Sequence, residues 1–183
     1  RPIMKTLSVT LFFILFLFQS LFSQNDSLKN YTLQYELSSE EIYSRCSDAI
    51  VMIYRYDMNN ALLGYGSGVI ISSEGLVYTN YHVVEKSSRI EIRNGNEIYD
   101  SVSFAGFDPF IDAAILKLPE GNYSYVNISK EKEHRIGSSI YALGNPQGYT
   151  KTFSYGVISA LRTNDGPAQI QVSAPISPGS SGG

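Results

Sequence analysis

An all-β fold made of two consecutive β units is predicted for this chain of 183 residues. Three observations predict it. Fifteen glycines and fourteen tyrosines accompany frequent Val and Ile, a mixture of turn formers and strand formers. Short apolar runs are separated by turn chemistry, at Asp57-Met58-Asn59-Asn60, Ser72-Ser73-Glu74-Gly75, Asn94-Gly95 and Asp108-Pro109. Asn-Gly between alternating runs is also a strong hairpin signal. Helical content is expected to be low.

The elements follow in order. Residues 1–23 read as flanking residues and a signal peptide: Arg1-Pro2-Ile3, then Met4 and Lys5, an apolar run from Leu7 to Phe18, and a polar exit at Gln19 to Ser23. That run is short for a membrane span of roughly 20 residues. Once cleaved it leaves no stable membrane insertion; uncleaved it stays as an anchor. Either way the chain is exported, to the periplasm or beyond. Residues 24–47 form an arm and a short helix. Ser38-Ser39-Glu40-Glu41 has the spacing of a capping box, and Ile42, Tyr43 and Cys46 give the helix one apolar face, with Cys46 packed there.

Residues 48–119 form the first β unit. Six runs alternate or stay apolar: 49–56, 61–71, 76–80, 88–93, 98–106 and 113–118. Six strands in so short a stretch make a closed antiparallel barrel or a sandwich. Glu120-Gly121-Asn122 is a connector. Residues 120–183 then hold a second unit with runs at 124–128, 138–143, 152–161 and 168–174.

Composition excludes several functions. A net charge of −3 and a pI near 5.4 leave no basic surplus to neutralise phosphates, so nucleic acid is not a partner. One cysteine cannot make an internal disulfide, and two histidines leave little room for a metal centre. No cofactor and no metal are expected.

Three patterns carry chemistry. His82 follows a strand in Thr79-Asn80-Tyr81-His82-Val83-Val84. Asp112 opens the apolar run Ala113-Ala114-Ile115-Leu116. Ser181 sits in the glycine-dense Pro178-Gly179-Ser180-Ser181-Gly182-Gly183. A serine hydroxyl is a poor nucleophile until an imidazole takes its proton. The imidazole needs a carboxylate behind it to fix its tautomer and stabilise its charged form. Glycines beside the serine let backbone N–H groups converge on the developing oxyanion. Each pattern alone has a bland reading, as a surface histidine, a turn cap or a flexible linker. Their order on a double β unit, behind an export signal, favours an enzyme.

The chain resembles the chymotrypsin-fold serine proteases, and within them the bacterial HtrA-like (Deg) branch. The resemblance rests on Gly66-Ser67-Gly68-Val69-Ile70-Ile71, residues 79–84, Asp112 to Lys117, Leu143-Gly144-Asn145-Pro146-Gln147-Gly148, Gly156-Val157-Ile158-Ser159 and residues 178–183. It implies two six-stranded antiparallel β-barrels of the chymotrypsin type, the second incomplete at residue 183. It also implies a serine endopeptidase acting on polypeptides, with unfolded or damaged envelope proteins as substrates. Ser181 is then the nucleophile, His82 the general base and acid, and Asp112 its orienter. Gly179 and Ser181, with Ser180 between them, form the oxyanion hole. Ser180 stands where the family has Asn or Asp. Pro175 and Ile176 begin the wall of the substrate pocket, and their apolar character implies small or medium apolar side chains at the cleavage point. The resemblance allows a homotrimer in the full-length protein. Residues 24–183 alone are expected to be inactive. The competing reading is a catalytically inactive binding domain on the same fold.

Overall fold

A computed structural model describes residues 37–130, 134–145, 151–163 and 166–183. The signal segment, the arm through residue 36 and Pro146-Gln147-Gly148 lie outside the described residues. Ten strands and three short helical segments are described. Helix α1, Ser39–Cys46, begins at the capping box. Ser38 Oγ accepts the Glu41 N–H at 3.2 Å, and Glu41 Oε2 accepts the Ser38 N–H at 2.9 Å. Tyr43 meets Phe153 edge to face with ring centroids 5.7 Å apart, which docks α1 on the second unit. Cys46 is half-buried rather than buried.

A single 3-10 turn, Ser47–Ala49, leads into the first sheet. Its strands are β1 Ile50–Tyr56, β2 Leu62–Ile70, β3 Leu76–Thr79, β4 Arg89–Asn94, β5 Glu97–Tyr99, β6 Ser103–Asp108 and β7 Ala113–Lys117. They lie in the order β5-β4-β1-β2-β3-β7-β6, with every described pairing antiparallel. Between β3 and β4 one helical turn, α2, covers Tyr81–Val84.

One expectation is corrected here. The run 98–106 was expected as one strand but is two, broken at Asp100-Ser101-Val102. Its first half pairs with β4 and its second with β7, at opposite edges of the sheet. Three linking residues reach no more than about 14 Å, so the sheet must curl enough to bring the end of β5 within that reach of β6. The polar pair Asp100-Ser101 marks the corner, and Val102 packs against the core.

Inside the curl sit Val51, Ile53, Ile70, Val77, Ile92 and Leu116, none of them exposed. Fully burying such a side chain contributes about 1.5–3 kcal/mol. They come from β1, β2, β3, β4 and β7, so the core ties five of the seven strands together.

The second unit holds β8 Ser139–Gly144, β9 Thr152–Arg162 and β10 Gln169–Val172, in the order β10-β9-β8. The run 124–128, expected as a fourth strand, is not one. Only isolated bonds hold this stretch, Tyr123 N–H to Ser73 O at 3.0 Å and Val126 N–H to Ile70 O at 3.0 Å. Tyr123 and Val126 instead pack on the first core. Apolar content here serves burial without a ladder.

Candidate active site

His82 is placed by α2, which follows β3 directly. Tyr81 stacks on Phe107 of β6, with centroids 5.3 Å apart, and so seats the turn against the sheet. Arg55 closes its other end, donating to the carbonyls of His82 at 3.3 Å and Glu85 at 3.1 Å. Val83 and Val84 are buried beneath it. His82 is thus fixed in backbone while its ring stays half open to solvent, with 52% of its side-chain surface exposed.

Asp112 ends the turn before β7 in a left-handed conformation, φ +53°. Among non-glycine residues, Asp and Asn reach that region most readily. Its Oδ2 lies 2.7 Å from His82 Nδ1, and its Oδ1 accepts the His82 backbone N–H at 2.9 Å. Its backbone carbonyl takes the Tyr81 N–H at 3.1 Å and Asn80 Nδ2 at 3.0 Å. Partial burial pushes the Asp112 carboxyl up. The His82 backbone N–H, the His82 ring and the Tyr81 N–H outweigh it and hold the carboxyl below its ordinary value. Ionised, it accepts from Nδ1 and leaves Nε2 as the ring's basic nitrogen.

Two consecutive turns build the serine loop. The first runs Ser177-Pro178-Gly179-Ser180 and is closed by Ser180 N–H to Ser177 O at 3.0 Å. Pro at its second position and Gly179 at φ +95° are the residues a type II turn demands. The second runs from Ser180 to Gly183, closed by Gly183 N–H to Ser180 O at 2.9 Å, with Gly182 at φ +87°. A Cβ on Gly182 would collide with the Ser67 carbonyl and the Thr79 hydroxyl. Among the described residues, the N–H groups of Gly179 and Ser181 have no acceptor.

β2 is the seam between the two halves of the site. Ser67 N–H donates to Ser181 O at 2.8 Å. A Cβ on neighbouring Gly66 would lie 2.7 Å from Val83 Cγ1 and 3.2 Å from Ser181 O. The residue after His82 and the carbonyl of Ser181 therefore flank one glycine. The structure joins Asp112 to His82 directly and brings the Ser181 backbone beside them. Among the described residues, no hydrogen bond links the Ser181 hydroxyl to the His82 ring.

Beyond the serine loop lies a trough of about 710 Å³ over β8, β9 and β10. Leu143, Phe153, Ile170, Pro175, Ile176 and Ser180 are among the residues that line it. His134 also lines it but is exposed.

Sequence reasoning gave no role to Arg55, nor to the buried polar residues Ser67, Thr79 and Asn145. These three are at most 1% exposed. Their signal was present, since Ser67 lies between glycines in an otherwise apolar strand. A polar residue so placed is either outward-facing or internally paired. Among the described residues no buried side-chain polar atom lacks a partner.

Residues 66–183 match the trypsin-like peptidase domain, and the chain belongs to that family. Within it, the relatives are HtrA-type. The chain is 36% identical over 123 residues to a probable periplasmic serine endoprotease, DegP-like, of Chlamydia muridarum, covering 64% of this chain and 25% of the relative. It is 32% identical over 154 residues to the serine endoprotease DegS of Haemophilus influenzae, covering 75% of this chain and 45% of the relative. Among solved structures it is similar to the HtrA-type protease AlgW with a tripeptide, with TM-score 0.72, 31% identity, and 80% and 49% of the two chains covered. It is also similar to the serine endoprotease from Yersinia pestis, with TM-score 0.69, 29% identity, and 81% and 53% covered. The chain thus spans less than half the length of the two sequence relatives.

Proposed function

We propose that the chain is the catalytic part of an exported serine endopeptidase, with polypeptides as substrates. The observation that carries this reading is the two-point contact of Asp112 with His82 beside a serine loop having two N–H groups without acceptors. His82 Nε2 takes the proton of Ser181 Oγ as the oxygen bonds to the scissile carbonyl carbon. The N–H groups of Gly179 and Ser181, flanking Ser180, receive the negative charge on the carbonyl oxygen. His82 then returns the proton to the amine nitrogen as the C–N bond breaks, leaving an acyl-enzyme. Water, deprotonated by the same imidazole, releases the acid and restores Ser181.

The wall from Pro175 to Ile176 carries no charge, which suits small or medium apolar side chains before the cleaved bond. Relatives named as periplasmic serine endoproteases support an envelope location; unfolded or damaged envelope proteins are the substrates proposed for that location. In the full-length protein, Ser181→Ala is expected to reduce peptide-bond hydrolysis to background with thermal unfolding unchanged, and Ser180→Ala to retain activity. Normal hydrolysis by Ser181→Ala would sink the assignment.

The missing Ser181–His82 hydrogen bond favours a second reading, a non-catalytic binding domain. Catalytic hydrogen bonds are often long before substrate binds and tighten in the complex, which is compatible with the enzyme. A fluorophosphonate separates the two: it labels Ser181 in an enzyme and leaves a mere binding domain unlabelled.

A further inference from the structure

The serine loop is gripped from the first sheet by one residue, Ser67. Its backbone N–H donates to the Ser181 carbonyl at 2.8 Å, and its hydroxyl donates to the Gly179 carbonyl at 2.8 Å. The direction of the second bond is fixed by a third. Ser67 Oγ also accepts the backbone N–H of Asn145 at 2.8 Å, and an N–H can only donate, so the hydroxyl proton is left for Gly179. The Ser67 carbonyl in turn takes the Thr79 hydroxyl at 2.7 Å. Ser67 is 0% exposed, so water does not compete for these partners.

Asn145 ties this cluster to both units. It is 1% exposed, its Nδ2 donates to the Val51 carbonyl of β1 at 2.7 Å, and its Oδ1 accepts the Lys151 N–H at 2.9 Å. The hydroxyl of Ser67 is therefore anchored on one side by a residue that cannot swing.

The consequence falls on a single peptide plane. The Gly179 carbonyl and the Ser180 N–H belong to the same planar unit. Ser67 holds its carbonyl end, and the Ser177 carbonyl holds its N–H end at 3.0 Å. On either side of that plane lie the Gly179 N–H and the Ser181 N–H. Glycine at 179 would otherwise let the plane rotate freely.

The geometry points to Ser67 as a positioning residue of the peptidase reaction: through the Gly179 carbonyl it fixes the peptide plane between the two N–H groups that receive the oxyanion. This rests on Ser181 being the nucleophile. Ser67 touches no reacting atom, and the charge it serves exists only in the transition state. Its loss therefore falls on kcat and not on KM.

The test uses the full-length protein and a peptide substrate. Ser67→Ala is expected to lower kcat about 10–100-fold, short of or equal to the loss of an oxyanion donor. KM is expected to stay within about twofold, and the pH dependence of kcat/KM to keep its wild-type shape because the His82–Asp112 contact is untouched. A peptidyl boronate, which mimics the tetrahedral state, is expected to lose affinity in parallel with kcat. Ile92→Val, a core truncation in β4, controls for lowered stability and is expected to keep wild-type kcat. Should Ser67→Ala fail to fold, Ser67→Cys keeps a weaker donor toward Gly179 and a weaker acceptor for Asn145, and an intermediate kcat is expected. Wild-type kcat in a folded Ser67→Ala or Ser67→Cys overturns the positioning role, as does a loss confined to KM. Activity surviving Ser181→Ala overturns the nucleophile assignment instead, so the two failures are distinguishable.

Discussion

Asp112 grips His82 by ring and backbone at once, with one carboxylate oxygen 2.7 Å from Nδ1 and the other accepting the main-chain N–H at 2.9 Å. The grip fixes the tilt of the imidazole as well as its position. A carboxylate touching the ring alone would leave the ring free to pivot about χ1.

Asp112→Asn separates charge from shape. Asn tolerates the φ of +53° and can still accept the backbone N–H through its amide oxygen. It cannot stabilise a charged imidazolium, and it offers the ring a competing donor. In the full-length protein kcat is expected to fall about 10³–10⁴-fold, by analogy with the same exchange in other serine proteases, while the melting temperature moves little. Peptide hydrolysis and calorimetry on one preparation check both halves.

The same pair sets a pH dependence of stability. The Asp112 carboxyl lies below its ordinary value when folded, so the unfolded chain binds this proton more readily. The stabilisation is present above the ordinary carboxylate range and is lost as pH falls through the folded value. With side chains 52% and 43% exposed, solvent screens the pair and the contribution stays under about 1 kcal/mol. The urea midpoints of wild type and Asp112→Asn should differ above the ordinary carboxylate range and converge as the pH falls below it. An equal gap at both ends contradicts the pairing.

Two glycines of positive φ separate strain from collision. Gly95, in the β4–β5 hairpin at φ +60°, has nothing within 4 Å of where a Cβ would stand. Gly95→Ala therefore bears only the backbone cost, about 1–2 kcal/mol, and leaves hydrolysis intact. Gly182→Ala adds a clash with the Ser67 carbonyl and the Thr79 hydroxyl, and should lose about 3 kcal/mol or more together with activity. Urea titrations and rate assays of both variants make the comparison.

Strands bounded by turn chemistry and filled with apolar residues were legible in the sequence, as β1, β2, β3, β4 and β7 show. Residues 97–108 were not, because the fault lies in pairing and not in pattern. Ile98 and Phe104 both belong to β runs, but nothing local says that they face opposite edges of the sheet. Residues 124–128 misled for the converse reason, since Val126 packs half-buried against the core without joining a ladder. At the site, residue types and order put His82, Asp112 and Ser181 in view. The placing of Ser67 between glycines marked it as unusual, but its partner, 112 residues away in sequence, left no local trace.

The link Asp100-Ser101-Val102 has a consequence for how the molecule meets other copies of itself. An open sheet ends in two rows of unpaired backbone groups, each a template for a further strand. Here one short tether holds the two edge strands, β5 and β6, near one another at that corner. Asp100 and Ser101 are exposed, and a protease could reach the chain there. A single cut would release β5 and β6 from one another and let the two edges splay apart. Nicked molecules are then expected to add strand to strand more readily than the intact chain.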